Sequence, residues 1–238
     1  MSRGRSFILS SLALLLLAPL PAAGEPTSFH LMQIEQVIGG VCGDTGAQVV
    51  QLRMRTLGQN LVSGRKLIAY DATGSNPITL ITFPSNVSVS NAGSRILVAS
   101  AKAATALPNR DFVMTATIPA SYLAAGRLAF DDGAGTIYWS VSWGGAAYTG
   151  ANSGSFSNDA DGIFGPAFAT RLPSSTSNAL FFDGVASDMS TNNAADYALT
   201  PGPAGFTNNA GTAMALPDCF FGDDFETGGT SLWPAVVP

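Results

Sequence analysis

Histidine, cysteine and charge are all scarce in this chain. Of 238 residues one is His (His30), two are Cys, and only 11% carry a charged side chain. A single histidine with no G-x-S-x-G nucleophile turn excludes a recognisable Ser-His-Asp arrangement, because the base must sit within hydrogen-bond reach of a nucleophile. One His and two distant Cys also fall short of a zinc ligand set. Lys and Arg are few, eleven against sixteen Asp and Glu. Nucleic-acid binding and docking on anionic lipid, which need a cationic patch, are therefore not expected. No apolar period of 3.6 residues persists over ten residues, and there is no internal repeat, so a helical bundle and a solenoid are excluded. Polarity comes chiefly from Ser, Thr, Asn and Gly.

The start of the chain is a separate segment. Arg3 and Arg5 form a basic region, Phe7 to Leu17 an apolar core, and Ala22, Ala23 and Gly24 a small-residue end. This three-part pattern reads as a secretory signal peptide over residues 1–24. The alternative is an uncleaved N-terminal anchor, although the apolar core is shorter than a membrane span requires. Cleavage removes Arg3 and Arg5 and leaves nine basic against sixteen acidic residues, a net charge of −7. No later run approaches the length of a span, so the exported chain is expected to carry none. In an oxidising compartment Cys42 and Cys219 most simply form one disulfide joining the first strand region to the last; the alternative is two free, buried thiols. Chain-entropy reasoning gives such a long loop about 5 kcal/mol of stabilisation as an upper figure.

What the sequence does contain is short strands. From Ala47 to Ala101 four apolar runs are divided by Gly, Asn and Ser turns. In the first, Val50, Leu52 and Met54 alternate with Gln51, Arg53 and Arg55, the two-residue period of a half-buried strand. Leu67 to Tyr70, Ile78 to Phe83 and Arg95 to Ser100 follow in the same style. Phe29 to Val37 reads as an earlier, bulged strand. Lys102 to Arg110 reads as a helical turn, Phe112 to Ile118 as a strand, Pro119 to Ala125 as a short helix and Arg127 to Phe130 as a brief strand. Thr136 to Trp143 alternates most cleanly, with Ile137, Trp139, Val141 and Trp143 on one face. Two indoles there suit a core or an aromatic ledge, and core is the first reading. From Gly144 to Gly211 the chain is rich in Gly, Ala, Asn, Ser and Pro, with Arg171 as its one basic residue. Apolar islands at Ile163 to Phe168 and Ala179 to Val185 argue against disorder, and Thr212 to Leu216 reads as a last strand. Many short strands with turn signals predict an all-β, antiparallel β-sandwich with long Gly/Asn/Ser-rich loops.

At this point the chain resembles the bacterial lamin-tail-like domains. The resemblance is carried by Gln48 to Thr56 (QVVQLRMRT), by Leu61 with Leu67 to Asp71, by Phe83-Pro84, and by Gly93 to Ala99. It spans Phe29 to Ala101 and continues more weakly to Trp143; where the family has an acidic residue after Val, this chain has Gln51. The resemblance implies an immunoglobulin-like sandwich used for binding or scaffolding, with no enzyme activity. Residues 25–143 would be its core, 144–219 a loop-rich continuation of the same domain, and 220–238 a tail. That tail, FFGDDFETGGTSLW from Phe220 to Trp233, is similar to the D-G-F-E-S-G-D-x-S-x-W signature that ends many secreted bacterial proteins. It reads either as a recognition tag for export or as a turn-rich cap.

Chemistry-bearing candidates are few. Ser63-Gly64-Arg65-Lys66 fits S-x-x-K but lies at a turn into a strand, without companion motifs. Asn158-Asp159-Ala160-Asp161-Gly162 resembles the opening of a Ca²⁺ loop, with Asp159 and Asp161 as ligands, but lacks the closing Glu. Asp131-Asp132-Gly133 and Asp223-Asp224 are further acidic pairs, and ordinary Asp-Gly turns explain all three as well. The leading expectation is a secreted, non-enzymatic binding or surface-scaffolding module. It would need no cofactor, and its partner would be a protein or glycan at the cell surface, met by loops and by aromatics such as Tyr138, Tyr148 and Phe181. The alternative is a Ca²⁺-dependent carbohydrate-binding module combining Asp159 and Asp161 with a ledge at Trp139 or Trp143. A third reading is a secreted hydrolase built on two Asp carboxylates.

Overall fold

The computed structural model describes Met1 and residues 31–219. The rest of the leader-like segment, His30 and the 220–238 tail lie outside the described residues. Twelve strands are present among those described. The four runs predicted from alternation appear as β2 (Val49–Met54), β3 (Lys66–Tyr70), β4 (Ile78–Thr82) and β5 (Arg95–Ala99), preceded by β1 (Met32–Ile38). The bulge expected in the first strand lies between Ile34 and Gln36. Then come β6 (Phe112–Val113), β7 (Gly126–Asp131), β8 (Ile137–Trp143), β9 (Leu180–Phe182), the short helix α1 (Asn193–Asp196), β10 (Tyr197–Leu199), β11 (Gly205–Thr207) and β12 (Ala213–Ala215).

The strands build an all-β sandwich. One sheet runs β10-β9-β1-β2-β5-β6, the other β4-β3-β7-β8, and β11 with β12 forms a separate hairpin. All pairs are antiparallel except β5 with β6. The alternating residues do what their period requires. Ile34, Val37, Val50, Leu52, Met54, Ile96 and Val98 point inward from the first sheet and meet Leu67, Leu128, Phe130, Trp139, Val141 and Trp143 from the second. Trp139 and Trp143 are fully buried, so the core reading of that face is right and neither indole forms a ledge. The indole N–H of Trp139 donates to Tyr197 Oη at 2.8 Å, and that hydroxyl donates to the Ile34 carbonyl at 2.5 Å, which ties β8 to both β10 and β1. Trp143 Nε1 donates to the Tyr122 carbonyl at 2.8 Å. Each buried indole therefore has its partner, as burial in an apolar core requires.

Residues 102–110 form hydrogen-bonded turns, one of them helical, closed by Leu107 N donating to Ala103 O. Two expectations need correction. The strand foreseen over 112–118 is only two residues long, because the segment crosses between sheets. Met114 N donates to Ala99 O in the first sheet, and Thr115 N to Leu80 O in the second. The strand at 213–215 joins neither main sheet but pairs with β11 (Phe206 opposite Met214). The helix expected over 119–125 is a single 3₁₀ turn at Ala120–Tyr122.

The first sheet is covered on its second face too. Ile38, Val49, Leu97 and Ala99 point outward and form a second apolar cluster with Leu107, Ala179, Ala204, Phe206 and Leu216. The 201–217 segment, including the β11–β12 hairpin, is therefore a strap lying across the back of the sheet. The disulfide between Cys42 and Cys219 closes its end, with a sequence separation of 177.

Candidate binding surface

Arg55 follows directly on β2, in the bend that ends the strand. Its side chain reaches two loops that the sequence pattern leaves unstructured. Nε donates to the Ala186 carbonyl at 2.9 Å, Nη1 to the Asn158 carbonyl at 2.7 Å, and Nη2 to the Asp188 carbonyl. The guanidinium carbon lies 5.2 Å from the Trp139 ring centroid. A planar cation with five donors suits such a cluster of carbonyls. Burial lowers the pKa of Arg55, and the nearby charges of Asp159 and Asp188 counter that shift.

The 152–164 loop is closed on itself. Gly154 N donates to Gly162 O and Phe164 N to Asn152 O. Asp159, only 1% exposed, ties this loop to its neighbour. One carboxylate oxygen accepts the Asp161 N–H at 3.1 Å, the other the Thr191 N–H at 2.7 Å. Ala160 N donates to the Met189 carbonyl at 2.7 Å. Burial, followed by the neighbouring Asp161 carboxyl, raises the pKa of Asp159, while the same pairing lowers that of exposed Asp161. Their positions are those of Asx turns, since Asp161 Oδ1 also accepts the Ile163 N–H at 2.8 Å. Among the described residues no three His, Cys, Asp or Glu side chains are grouped to hold a metal ion.

The clamped loops display large apolar side chains. Phe156 is 72% exposed, Val185 66%, Ile163 58% and Met189 37%. Phe156 lies against Gly162, at 3.5 Å from where a Cβ there would stand, and Ile163 bridges to Ser153. A trough of about 480 Å³, lined by Thr136, Ser153, Ser155 and Phe156, runs between this loop and the start of β8.

The three aromatics named from the sequence are scattered. Tyr148 is 8% exposed, and its hydroxyl donates to the Ala151 carbonyl at 2.8 Å. It is a buried side chain, not a surface one, because the 144–151 turn folds it against Ala125 and Ala167. Tyr138 and Phe181 are half-buried, in β8 and β9. The exposed residues Phe156, Ile163, Val185 and Met189 had no alternation to mark them, because they sit in loops. Arg55 was visible only as one of the outward residues of its strand. Four surface clefts are each lined by at most one carboxylate, with Asp111 and Asp218 in two of them.

Among the described residues no helix is long and apolar enough to cross a membrane. No protein-family model matches the chain, and no curated protein sequence matches it significantly.

Proposed function

We propose that the chain is an exported, non-enzymatic binding or scaffolding module of immunoglobulin-like build, similar to the lamin-tail-like domains, and that it meets its partner with the loops clamped around Arg55. The observation that carries this reading is the combination of rigid attachment and exposed apolar side chains. Four large apolar residues stay in water on two loops that are cross-bonded to each other and to β2. Exposed apolar groups held in place at low entropy cost are what a binding surface needs. The leader-like residues 1–24 support export, and the acidic balance supports a protein or glycan partner over a nucleic acid or an anionic membrane.

The test uses labelled mature chain, residues 25–238, on intact producing cells and on a glycan array. Phe156→Ser with Ile163→Ser is expected to abolish saturable binding while leaving the melting temperature nearly unchanged, since exposed substitutions usually shift stability by about 0.5 kcal/mol or less. Equal binding by the double variant, or no saturable binding in either format, would reject this face.

A second reading has one specific observation behind it. Phe156 stands beside a hydroxyl-lined trough, with Asp161 in the same loop. An aromatic face with neutral polar neighbours suits a saccharide. This moves the Ca²⁺-dependent carbohydrate hypothesis from the buried indoles to Phe156. Glycan binding abolished by a chelator would favour it; binding confined to cells and indifferent to chelator would favour a protein partner.

A further inference from the structure

We infer that the Cys42–Cys219 disulfide is a reducible latch, and that its reduction by a dithiol releases the end of the C-terminal strap from the back of the first sheet. Three observations converge on it. Cys42 is exposed, and its backbone is left-handed at φ 51°, a conformation disfavoured for a residue with a Cβ. A cleft of about 400 Å³, bordered by Thr176, Asn178, Pro201, Pro203 and Asp218, opens beside Cys219. Ser177 Oγ lies 2.9 Å from Cys219 Sγ and 3.5 Å from Cys42 Sγ, and donates to the Pro217 carbonyl. Exposed disulfides exchange more readily than enclosed ones.

The exchange has a direction. A dithiol, as its thiolate, attacks the sulfur of Cys42, the more exposed of the two cysteines. The bond to Cys219 breaks, and Cys219 leaves with the electron pair as a thiolate next to the Ser177 hydroxyl, which can turn to donate to it. The second thiol of the dithiol then attacks the mixed disulfide at its own partner sulfur. The dithiol ends as a disulfide, oxidised by two electrons, and its two protons pass to Cys42 and Cys219.

The end of the strap is the side that moves. The Cys42 loop stays bonded to the body through Gly39 N to Pro173 O, Cys42 N to Thr176 O and Gly43 N to Ser174 O. The first part of the strap is also well bonded: Gln36 Nε2 donates to Gly205 O at 3.1 Å, Thr207 N to Gln51 Oε1 at 2.5 Å and Ala204 N to Ser177 O at 2.7 Å, while Asn208 and Asn209 bond to Asn109, Asp111, Val89 and Arg95. The 210–217 end is joined to the body by Ser177 Oγ on the Pro217 carbonyl and closed by the disulfide, and its strand pairs only with β11. Once the terminal clamp is lost, this end can lift and draw Leu216 from the apolar cluster of Ile38, Val49, Leu97 and Ala99.

The test is hydrogen exchange on the intact mature chain, oxidised and after dithiol treatment without denaturant, with alkylation to count thiols. The expected result is two alkylated cysteines and a loss of protection of about tenfold or more at Leu216 and in the 213–215 strand, with Leu128 and Val141 unchanged. Resistance to dithiol at native conditions overturns the proposal. So does reduction without any change in the strap, or with equal loss of protection throughout the sandwich. Ser177→Ala keeps both cysteines and is expected to slow reduction several-fold if its hydroxyl stabilises the leaving thiolate; an unchanged rate removes that role.

Discussion

Replacing Arg55 with Met removes the guanidinium and keeps much of the stem that packs against Trp139. Three charge-assisted hydrogen bonds to carbonyls disappear, those to Ala186, Asn158 and Asp188. Such bonds are worth roughly 1.5–3 kcal/mol each when buried. Arg55 is only half-buried, so water can replace part of each, and about 1 kcal/mol apiece is the appropriate figure. The contact with the Trp139 ring adds roughly 0.5–1 kcal/mol. The sum is about 3–4 kcal/mol, which for a domain of this size lowers Tm by roughly 6–15 °C. The loss should not be uniform. Amides of 152–164 and 185–191 should lose protection first, because they have few bonds to the rest of the sandwich once the guanidinium is gone. Arg55→Lys keeps the charge but not the planar fork, and should recover less than half of the loss. Thermal melts and hydrogen exchange on the three proteins decide the matter. A Met variant that melts within about 2 °C of the parent with both loops still protected would show that Arg55 does not hold this surface.

Tyr197→Phe leaves the Trp139 N–H and the Ile34 carbonyl unpaired in a dry core, and should cost about 1–3 kcal/mol in chemical denaturation with little change in the m-value. Gly150→Ala would place a Cβ 2.5 Å from the backbone nitrogen of Gly74, where two turns cross; a loss of about 1–3 kcal/mol is expected, and an unchanged melting curve would contradict the crossing. Asp71, partly exposed, should titrate at about 2, because Asn76, Thr73 and Ser75 donate to its carboxylate. Its folded pKa lies below the ordinary aspartate value, so whatever it adds to the 71–76 turn is complete above that value and is lost as pH falls toward 2. Carbon-detected NMR titration reads this directly, and a midpoint near the ordinary carboxylate value would remove the turn from the argument.

The legible parts of the fold were those with a period. Val50-Leu52-Met54 and Ile137-Trp139-Val141-Trp143 alternate because one side faces the other sheet, and both runs are strands with those faces buried. Cys42 and Cys219 could be paired from their even number and the leader alone, and they are bonded. The strap was legible only in part. Thr212 to Leu216 reads as a strand and Ala213–Ala215 is one, but Gly205–Thr207 is too short to show alternation, and the place of both strands depends on side chains of a distant sheet. The strand foreseen over 112–118 failed for a related reason: alternation reports extended backbone but not which sheet the backbone pairs with, and this segment changes sheets midway. The candidate surface was only half visible. Asp159 and Asp161 drew attention as turn carboxylates, but the clamp needs Arg55, a hundred residues earlier, and nothing in the spacing connects them.

The scarcity of charge and the abundance of polar neutral residues share one structural explanation. Side-chain amides stand in for missing strands. Gln48 Nε2 donates to the Ile118 carbonyl at 2.8 Å while its Oε1 accepts the Ile118 N–H at 2.7 Å, the two bonds a neighbouring peptide unit would make. Asn193, fully buried, accepts the Ser142 N–H at 2.9 Å and donates to Ser140 O at 3.2 Å, covering the free edge of β8. Asn209 bonds to the carbonyls of Val89 and Arg95 and holds the strap past the edge of β5. A carboxylate could only accept and a lysine only donate, so neither could replace a peptide group at these positions. The long Asn- and Ser-rich stretch after Gly144 is therefore ordered by the same backbone accounting that orders the strands. Asn193→Asp offers a sharp check, since it keeps the size and one acceptor while aiming an anion at the Ser140 carbonyl. It should destabilise the fold by about 2 kcal/mol or more and expose the β8 edge to hydrogen exchange. Asn193→Asp with parental stability and an unchanged edge would mean that the amide fills space and nothing else.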